Sequence, residues 1–156
     1  MNTSDMYHHE SPEWNFVLDV PAGWHTAPPV PANSPYEVIC FVSRKSGNFL
    51  TIIFRETLIF LEGRELMWSL KWHAEQRGQI LGRNGYRGFT GAQATIQSRP
   101  AWRLDFEKAE SQGIWSCRYY FIASGAFLYR VGFGTSDKAG MFPVFDRVAQ
   151  SLTITE

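Results

Sequence analysis

Residues 101–134 read AWRLDFEKAESQGIWSCRYYFIASGAFLYRVGFG, and this stretch determines the fold class. Large apolar residues alternate with smaller or polar ones, which is the period of a β-strand with one face covered. Only short turns separate the successive runs, so they are predicted to pair as an antiparallel meander. The three runs of the meander are 101–108, 114–123 and 127–134.

Similar runs before the meander predict four further strands. The loop at 44–48 ends in Gly47-Asn48, which is typical of a hairpin, so the runs on either side of it are expected to pair. The prolines between 28 and 35 predict a stiff extended connector, with a proline-rich recognition ligand as the alternative. The four strands are expected at Trp14–Val20, Tyr36–Ser43, Phe49–Thr57 and Ala92–Ser98.

Two segments have helical periodicity. Apolar residues recur every four positions within Glu62–Arg77, and Gly78 is expected to end that helix. Ser136 or Asp137 can cap a second helix that runs to about Gln150. Strands and helices together predict a mixed α+β domain built on an antiparallel sheet.

Length and composition favour one domain, which we place at residues 14–156 after a polar N-terminal arm at 1–13. The 156 residues are 44% apolar and 15% aromatic, enough for a core that needs neither disulfide nor metal. The formal net charge is zero, which argues against general affinity for nucleic acid. No apolar run approaches the roughly 18 residues of a membrane span. If Met1 is the native start, the absence of a signal peptide predicts a cytoplasmic protein.

Charged residues are unevenly distributed along the chain. Residues 1–43 contain five acids and no Lys or Arg, whereas Arg77 to Leu104 contains five arginines and no acid. Internal pairing of the two segments explains this distribution, and a local anion-binding surface is the alternative. The residues of that surface would be Arg83, Arg87 and Arg99.

Catalytic and metal-binding patterns were sought among the histidines and cysteines. His73-Ala74-Glu75 matches the start of a zinc deaminase signature, but the later cysteine pair is missing, so a histidine on a helix surface is expected. His8-His9-Glu10 is interpreted as part of a polar arm rather than a metal site. Cys40 and Cys117 lie in apolar runs and are predicted to be buried and reduced. We therefore expect no catalytic residue, metal or cofactor.

Two further patterns have simple structural explanations. Asp105 and Glu107 share one face of a strand, opposite Leu104 and Phe106, and are expected to face solvent with ordinary pKa values. Gly82-Arg83-Asn84-Gly85 matches the GXXG loop of an RNA-binding KH domain. In this chain the motif leads into strands, so turn glycines with incidental arginines are the preferred interpretation.

Four sequence motifs stand out: Phe16-Val-Leu-Asp-Val-Pro-Ala-Gly-Trp24, the central helix, Pro100-Ala-Trp102, and Phe145-Asp-Arg-Val-Ala-Gln-Ser-Leu152 before a short final strand. Together they resemble the PsbP/Mog-like superfamily, which includes bacterial domains of unknown function. The resemblance covers nearly the whole chain, and it implies a central antiparallel sheet flanked by helices on both faces, an α/β/α sandwich. Members of the superfamily act by binding: one type supports the oxygen-evolving photosystem, another binds a small nuclear GTPase, and others are exported lipoproteins or chaperones of secreted effectors.

The central helix is predicted to carry a partner surface on its outer side. At about 100° per residue, Trp68 and Trp72 lie one turn apart, opposite the apolar stripe. Tryptophan is enriched in binding hot spots, and Glu65 and Lys71 lie nearby on the helix. Coverage of both indoles by the N-terminal arm or the Pro28–Pro35 loop is the alternative.

A noncatalytic protein-binding, adaptor or chaperone-like domain is therefore the leading functional hypothesis. The expected partner is another protein, and a homodimer is left open. The alternative is a small enzyme or small-ligand-binding protein that uses a cleft at the sheet edge.

Overall fold

The computed structural model describes residues 6–27, 37–43, 49–59, 65–111 and 113–155. Within them the chain forms strands and two helices in an order that matches most of the sequence-based expectations. The elements are β1 (Met6–Ser11), β2 (Phe16–Pro21), β3 (Trp24–Ala27), β4 (Glu37–Ser43), β5 (Phe49–Thr57), α1 (Leu66–Arg83), β6 (Arg87–Ile96), β7 (Arg99–Glu110), β8 (Gly113–Ser124), β9 (Phe127–Thr135), α2 (Lys138–Gln150) and β10 (Thr153–Ile154).

The strands form two antiparallel sheets. The larger sheet has seven strands in the order β3-β4-β5-β9-β8-β7-β6, and the smaller has the order β1-β2-β10. Strands β7, β8 and β9 pair in sequence order, as expected of a meander, and β4 pairs with β5. The prediction of a domain built on an antiparallel sheet is confirmed.

Two hydrophobic clusters lie on opposite faces of the larger sheet. Neighbouring residues of a strand point to opposite faces, and Tyr119 belongs to one cluster whereas Tyr120 belongs to the other. Helix α1 contributes Leu70 and Ala74 to the cluster with Tyr119, and α2 and the smaller sheet share the cluster with Tyr120. The described residues contain two helices, which do not make a layer of helices on each face of the sheet. The antiparallel sheet of the predicted α/β/α sandwich is therefore confirmed, and its helical layers are not.

Helix α1 is longer than the sequence predicted. Gly78 does not end it, since a single glycine is tolerated inside a helix, and the ring of Phe89 on β6 packs beside this position and beside Gly82. The helix ends at Arg83, and Gly85 then takes a φ of +94°, the left-handed conformation that commonly follows a helix. Strand β6 begins at Arg87 rather than at Ala92, so part of the predicted turn segment is strand.

The predicted N-terminal arm contains strand β1, which pairs with β2 along its whole length. The sequence did not predict this strand because its side chains are mostly polar. Backbone hydrogen bonds to β2 hold the strand, while His8 and Glu10 stay exposed. His8 Nδ1 lies 2.8 Å from Asp19 Oδ1, and the ring of His9 lies 5.2 Å from that of Phe41. The short strand β3 was also missed, since it follows a turn and contains only four residues.

Both cysteines are buried and neither forms a disulfide, as predicted. Burial raises the pKa of the Cys117 thiol to about 12. The predicted hairpin loop at 44–48 and the Pro28–Pro35 connector lie outside the described residues. No helix in the described ranges has the length and apolar character needed to cross a membrane.

Candidate functional site

Helix α1 lies on the sheet with its inner side buried and a cleft along each flank. The first cleft, of about 640 Å³, is bounded by β6 and β7 and is lined in part by Lys71, Phe89 and Trp102. We call it the Trp102 cleft. The second, of about 400 Å³, lies between α1 and residues of β5 and β9, and we call it the Arg130 cleft. The outer ridge of α1 separates the two.

Trp68 occupies this outer ridge and leaves 47% of its surface exposed. The ammonium group of Lys71 lies 5.1 Å from the centroid of the Trp68 ring and 5.6 Å from that of Trp102. Lys71 Nζ also lies 4.0 Å from the carboxylate of Glu75 one turn along the helix. Glu65, at the N-cap position, is exposed and makes no side-chain capping bond. The structure thus brings Trp68 and Lys71 into contact distance, with Glu65 nearby on the chain.

Trp72 has a different environment from Trp68. Its ring is half-buried, lies 5.2 Å from that of His73 in an edge-on arrangement, and lines the Arg130 cleft. The two indoles therefore do not share one equally exposed surface. The described part of the N-terminal arm lies elsewhere, because Met6 packs against the cluster on the opposite face of the sheet.

His73 is not the surface histidine that the sequence predicted. Only 8% of it is exposed, and its Nε2 accepts a hydrogen bond of 2.9 Å from the backbone N–H of Ile59. The neutral ring therefore carries its proton on Nδ1. Burial lowers the pKa of His73, and the nearby positive charge of Arg130 lowers it further, against an opposing effect of Glu56. At about 100° per residue His73 lies within the apolar stripe beside Leu66 and Leu70, so helical periodicity was a signal that could have predicted its burial.

Arg130 is a buried arginine that the sequence analysis did not identify. It is 2% exposed, and its guanidinium carbon lies 3.9 Å from the centroid of the Phe54 ring. Glu56 Oε1 lies 4.0 Å from Nη1, which is an ion-pair distance but too long for a hydrogen bond. Burial and the charge of Arg77 lower the pKa of Arg130 to about 10. An arginine in the middle of the apolar run FLYRVGFG was the available signal.

The three arginines of the predicted anion-binding surface do not meet at one place. Arg83 ends α1 and Arg87 begins β6, so these two lie near the same end of the β6–β7 hairpin. Arg99 begins β7 opposite Ile96, at the other end. At about 3.3 Å per residue, the ten residues of β6 separate the two ends by about 30 Å.

Acids of the N-terminal segment take local partners rather than the arginines of 77–104. Asp19 and Glu10 both lie close to His8. The hydrogen bond to Asp19 is the main cause of the raised pKa of His8. Arg103 lies 3.8 Å from Asp105 on its own strand. The sequence predicted that the N-terminal acids pair with the arginines of 77–104. Asp19, Glu10 and Arg103 instead pair with residues closer to them along the chain.

Asp105 does not simply face solvent, as the sequence had suggested. Its carboxylate accepts hydrogen bonds from Arg118 Nε and Nη2 at 2.8 and 3.0 Å, and the group is only partly exposed. Arg118 also binds Asp146, and these carboxylates raise its pKa. Glu107 is half-buried beside Gly88. The residues 6–27, 37–43, 49–59, 65–111 and 113–155 contain no group of three His, Cys, Asp or Glu residues able to hold a metal ion.

No protein-family model and no curated protein matches this sequence. Solved structures do match its fold. The solution structure of cyanobacterial PsbP (CyanoP) from Synechocystis sp. PCC 6803 has a TM-score of 0.74 at 10% identity and covers 96% of this chain and 92% of its own. The Ran-binding protein Mog1p of Saccharomyces cerevisiae has a TM-score of 0.63 at 12% identity, with 96% and 95% coverage.

A third solved structure also matches the fold. LpqN, involved in cell envelope biogenesis of Mycobacterium tuberculosis, has a TM-score of 0.58 at 17% identity and covers 97% of this chain and 92% of its own. At these identities the likeness concerns the fold, and function does not follow from fold alone. The resemblance seen in the sequence is confirmed at that level: the chain has the PsbP/Mog-like fold.

Proposed function

We propose that this protein is a noncatalytic binding domain that contacts another protein through the outer ridge of α1. The observation that carries the proposal is the Trp68 indole, 47% exposed on a helix whose inner side is buried in the core. A large aromatic side chain on a rigid helix loses little conformational entropy on binding, and tryptophan is the residue type most enriched in hot spots.

The surroundings of Trp68 indicate the chemistry of the partner. Lys71 is held near the Trp68 ring by a cation–π contact, and its ion pair with Glu75 is long and partly exposed. Exposed pairs of this kind contribute about 0–1 kcal/mol, so a carboxylate of a partner can replace Glu75 at little cost. We therefore expect a partner surface with an apolar pocket for Trp68 and an acidic side chain at its rim.

The structural neighbours support a binding role. One of them is a Ran-binding protein, so this fold can present a surface to a protein partner. The zero net charge of the chain favours a protein over a nucleic acid, since binding to a polyanion rests largely on positive charge. A second copy of the chain remains an allowed partner, and a cytoplasmic location stays a prediction.

The experiment compares the purified partner's affinity for three forms of the full chain. Trp68→Ala is expected to weaken binding by about 2 kcal/mol or more, roughly 30-fold, because it removes the anchor. The matched control is Ile114→Ala, since Ile114 is also 47% exposed but lies on β8. Equal affinities of the two variants, with both folded, would refute the proposal. Sedimentation of the chain alone tests whether the partner is a second copy.

A further inference from the structure

The Arg130 cleft contains a buried guanidinium whose Nε has no hydrogen-bond partner among the residues that the structure describes. The guanidinium has five N–H donors, and a buried one normally has them paired. Among the described residues Nε has no hydrogen-bond partner, and the Glu56 carboxylate lies 4.0 Å from Nη1. The flat face of the group rests on Phe54, which leaves its donating edge for other partners. Arg130 also lines the cleft, so a molecule bound there lies beside this side chain.

The charges lining the cleft are unbalanced. Arg77 on α1 lines the same cleft, and its charge is one of the causes that lower the pKa of Arg130. Glu56 supplies one negative charge, and His73 is neutral at pH 7 because its pKa is lowered. Among the described residues that line the cleft, two arginines against one carboxylate leave an excess of one positive charge in a partly enclosed space. Repulsion between the two arginines decreases when an anion binds between them.

The size and walls of the cleft suit a small organic molecule. Its volume of about 400 Å³ lies within the roughly 300–1,000 Å³ typical of small-molecule sites. Trp72 and Ile80 on α1 and Ile59 after β5 provide apolar surface near the two arginines. Such a site combines an apolar wall with a charged end, which is the complement of an amphipathic acid.

From this arrangement we propose that the Arg130 cleft binds a small organic monocarboxylate. The carboxylate pairs with Arg130 and Arg77, and the apolar body of the molecule packs against Trp72 and Ile80. A guanidinium fork matches the two oxygens of a carboxylate, and a single negative charge balances the excess in the cleft. Glu56 disfavours a phosphate dianion, because the two negative charges of the phosphate and the one of Glu56 would then lie at the same place. This inference is independent of protein binding through Trp68, which lies on the outer ridge.

The test is calorimetric titration of the full-length protein with benzoate, and separately with inorganic phosphate, in a buffer low in chloride. Benzoate is expected to bind saturably with a Kd of about 1 mM or tighter, and phosphate more weakly. Arg77→Gln should weaken benzoate binding by about tenfold or more, because it removes one of the two cations. Glu56→Gln should strengthen it, since the excess positive charge becomes larger. Arg83→Gln makes the same charge change outside the cleft and should leave the affinity unaltered.

Opposite responses to Arg77→Gln and Glu56→Gln, with Arg83→Gln like the wild type, would support the site. Circular dichroism and thermal unfolding establish that each variant is folded. Absence of saturable benzoate binding, or equal binding by Arg77→Gln and the wild type, would overturn the proposal. Tighter binding of phosphate than of benzoate would overturn the assignment to a monocarboxylate. Arg130 is not substituted, because its burial makes loss of folding the expected result.

Discussion

Arg118 on β8 donates hydrogen bonds from Nη1 to both carboxylate oxygens of Asp146 on α2, at 2.8 and 2.9 Å. The same guanidinium donates two more to Asp105 on β7, and the Tyr120 hydroxyl donates to Asp146 at 2.7 Å. The ring of Phe142 lies 4.6 Å from the guanidinium carbon. Arg118 therefore links helix α2 to strands β7 and β8 through hydrogen bonds.

Asp146→Ala is expected to lower the free energy of unfolding by about 1.5–3 kcal/mol. The substitution removes hydrogen bonds to the guanidinium of Arg118, whose side chain is 13% exposed. Hydrogen bonds to such a shielded charge contribute more than exposed ion pairs do. Urea unfolding at pH 7 measures the loss. Glu75→Ala is the matched control, because its pair with Lys71 is exposed and should be worth less than about 1 kcal/mol. Similar losses in the two variants would contradict the structural role of Asp146.

His73 is expected to make stability fall as the solution is acidified. Its pKa in the folded protein lies below the ordinary 6.5, so the unfolded chain takes up a proton at higher pH than the folded one. Stability is then retained above about pH 6.5 and lost as the pH falls towards the folded pKa. Between pH 7.5 and 5.5 the wild type should lose more in Tm than His73→Gln, which cannot titrate. Equal losses of Tm in the wild type and in His73→Gln would contradict the lowered pKa of His73. His9→Gln is the comparison variant, because burial also lowers the pKa of His9.

Gly132→Ala should destabilise the protein because its neighbour leaves no space for a methyl group. A Cβ built at Gly132 would lie 2.8 Å from Cε1 of Tyr119 on the adjacent strand. Tyr119 is half-buried against the cluster beneath α1, so relief requires its ring to repack. The expected loss is about 1–3 kcal/mol in denaturant unfolding. An unchanged midpoint would show that the Tyr119 ring moves freely.

Gly78→Ala should have the opposite effect, although it too lies beside an aromatic ring. A Cβ at Gly78 would meet the Phe89 ring at 3.7 Å, an ordinary contact distance. Alanine in a helix interior is favoured over glycine by about 0.5–1 kcal/mol, so a gain of that size is expected. A loss of stability in the same unfolding assay would show that Phe89 needs more room.

The sequence predicted the elements whose apolar pattern is regular and missed those held by the backbone or by distant contacts. The meander from β7 to β9 and the β4–β5 pair follow directly from alternation in the sequence. Strand β1 does not, because its hydrogen bonds to β2 are independent of its polar side chains. The end of α1 was misplaced because Gly78 was taken as a helix stop, whereas the helix continues through it to Arg83.

The candidate sites were only partly predictable for the same reason. Helical periodicity placed Trp68 on the outer side of α1, where the structure leaves it exposed. The hydrogen bond of His73 comes from Ile59, and the environment of Arg130 depends on Glu56 and Phe54, residues far from it along the chain. No local pattern contains such contacts, so the Arg130 cleft could be found only from the folded structure.

The most direct test of the proposed binding surface is site-directed photo-crosslinking in cells that naturally make the protein. A photoreactive amino acid placed at position 75 lies on the exposed side of α1, two turns from Trp68, and leaves that anchor intact. The same amino acid at position 114 on β8 is the matched control. We predict one discrete protein adduct from position 75 that disappears with Trp68→Ala and is absent from position 114. The same adducts from both positions, or an adduct that persists in Trp68→Ala, would contradict a partner surface on α1.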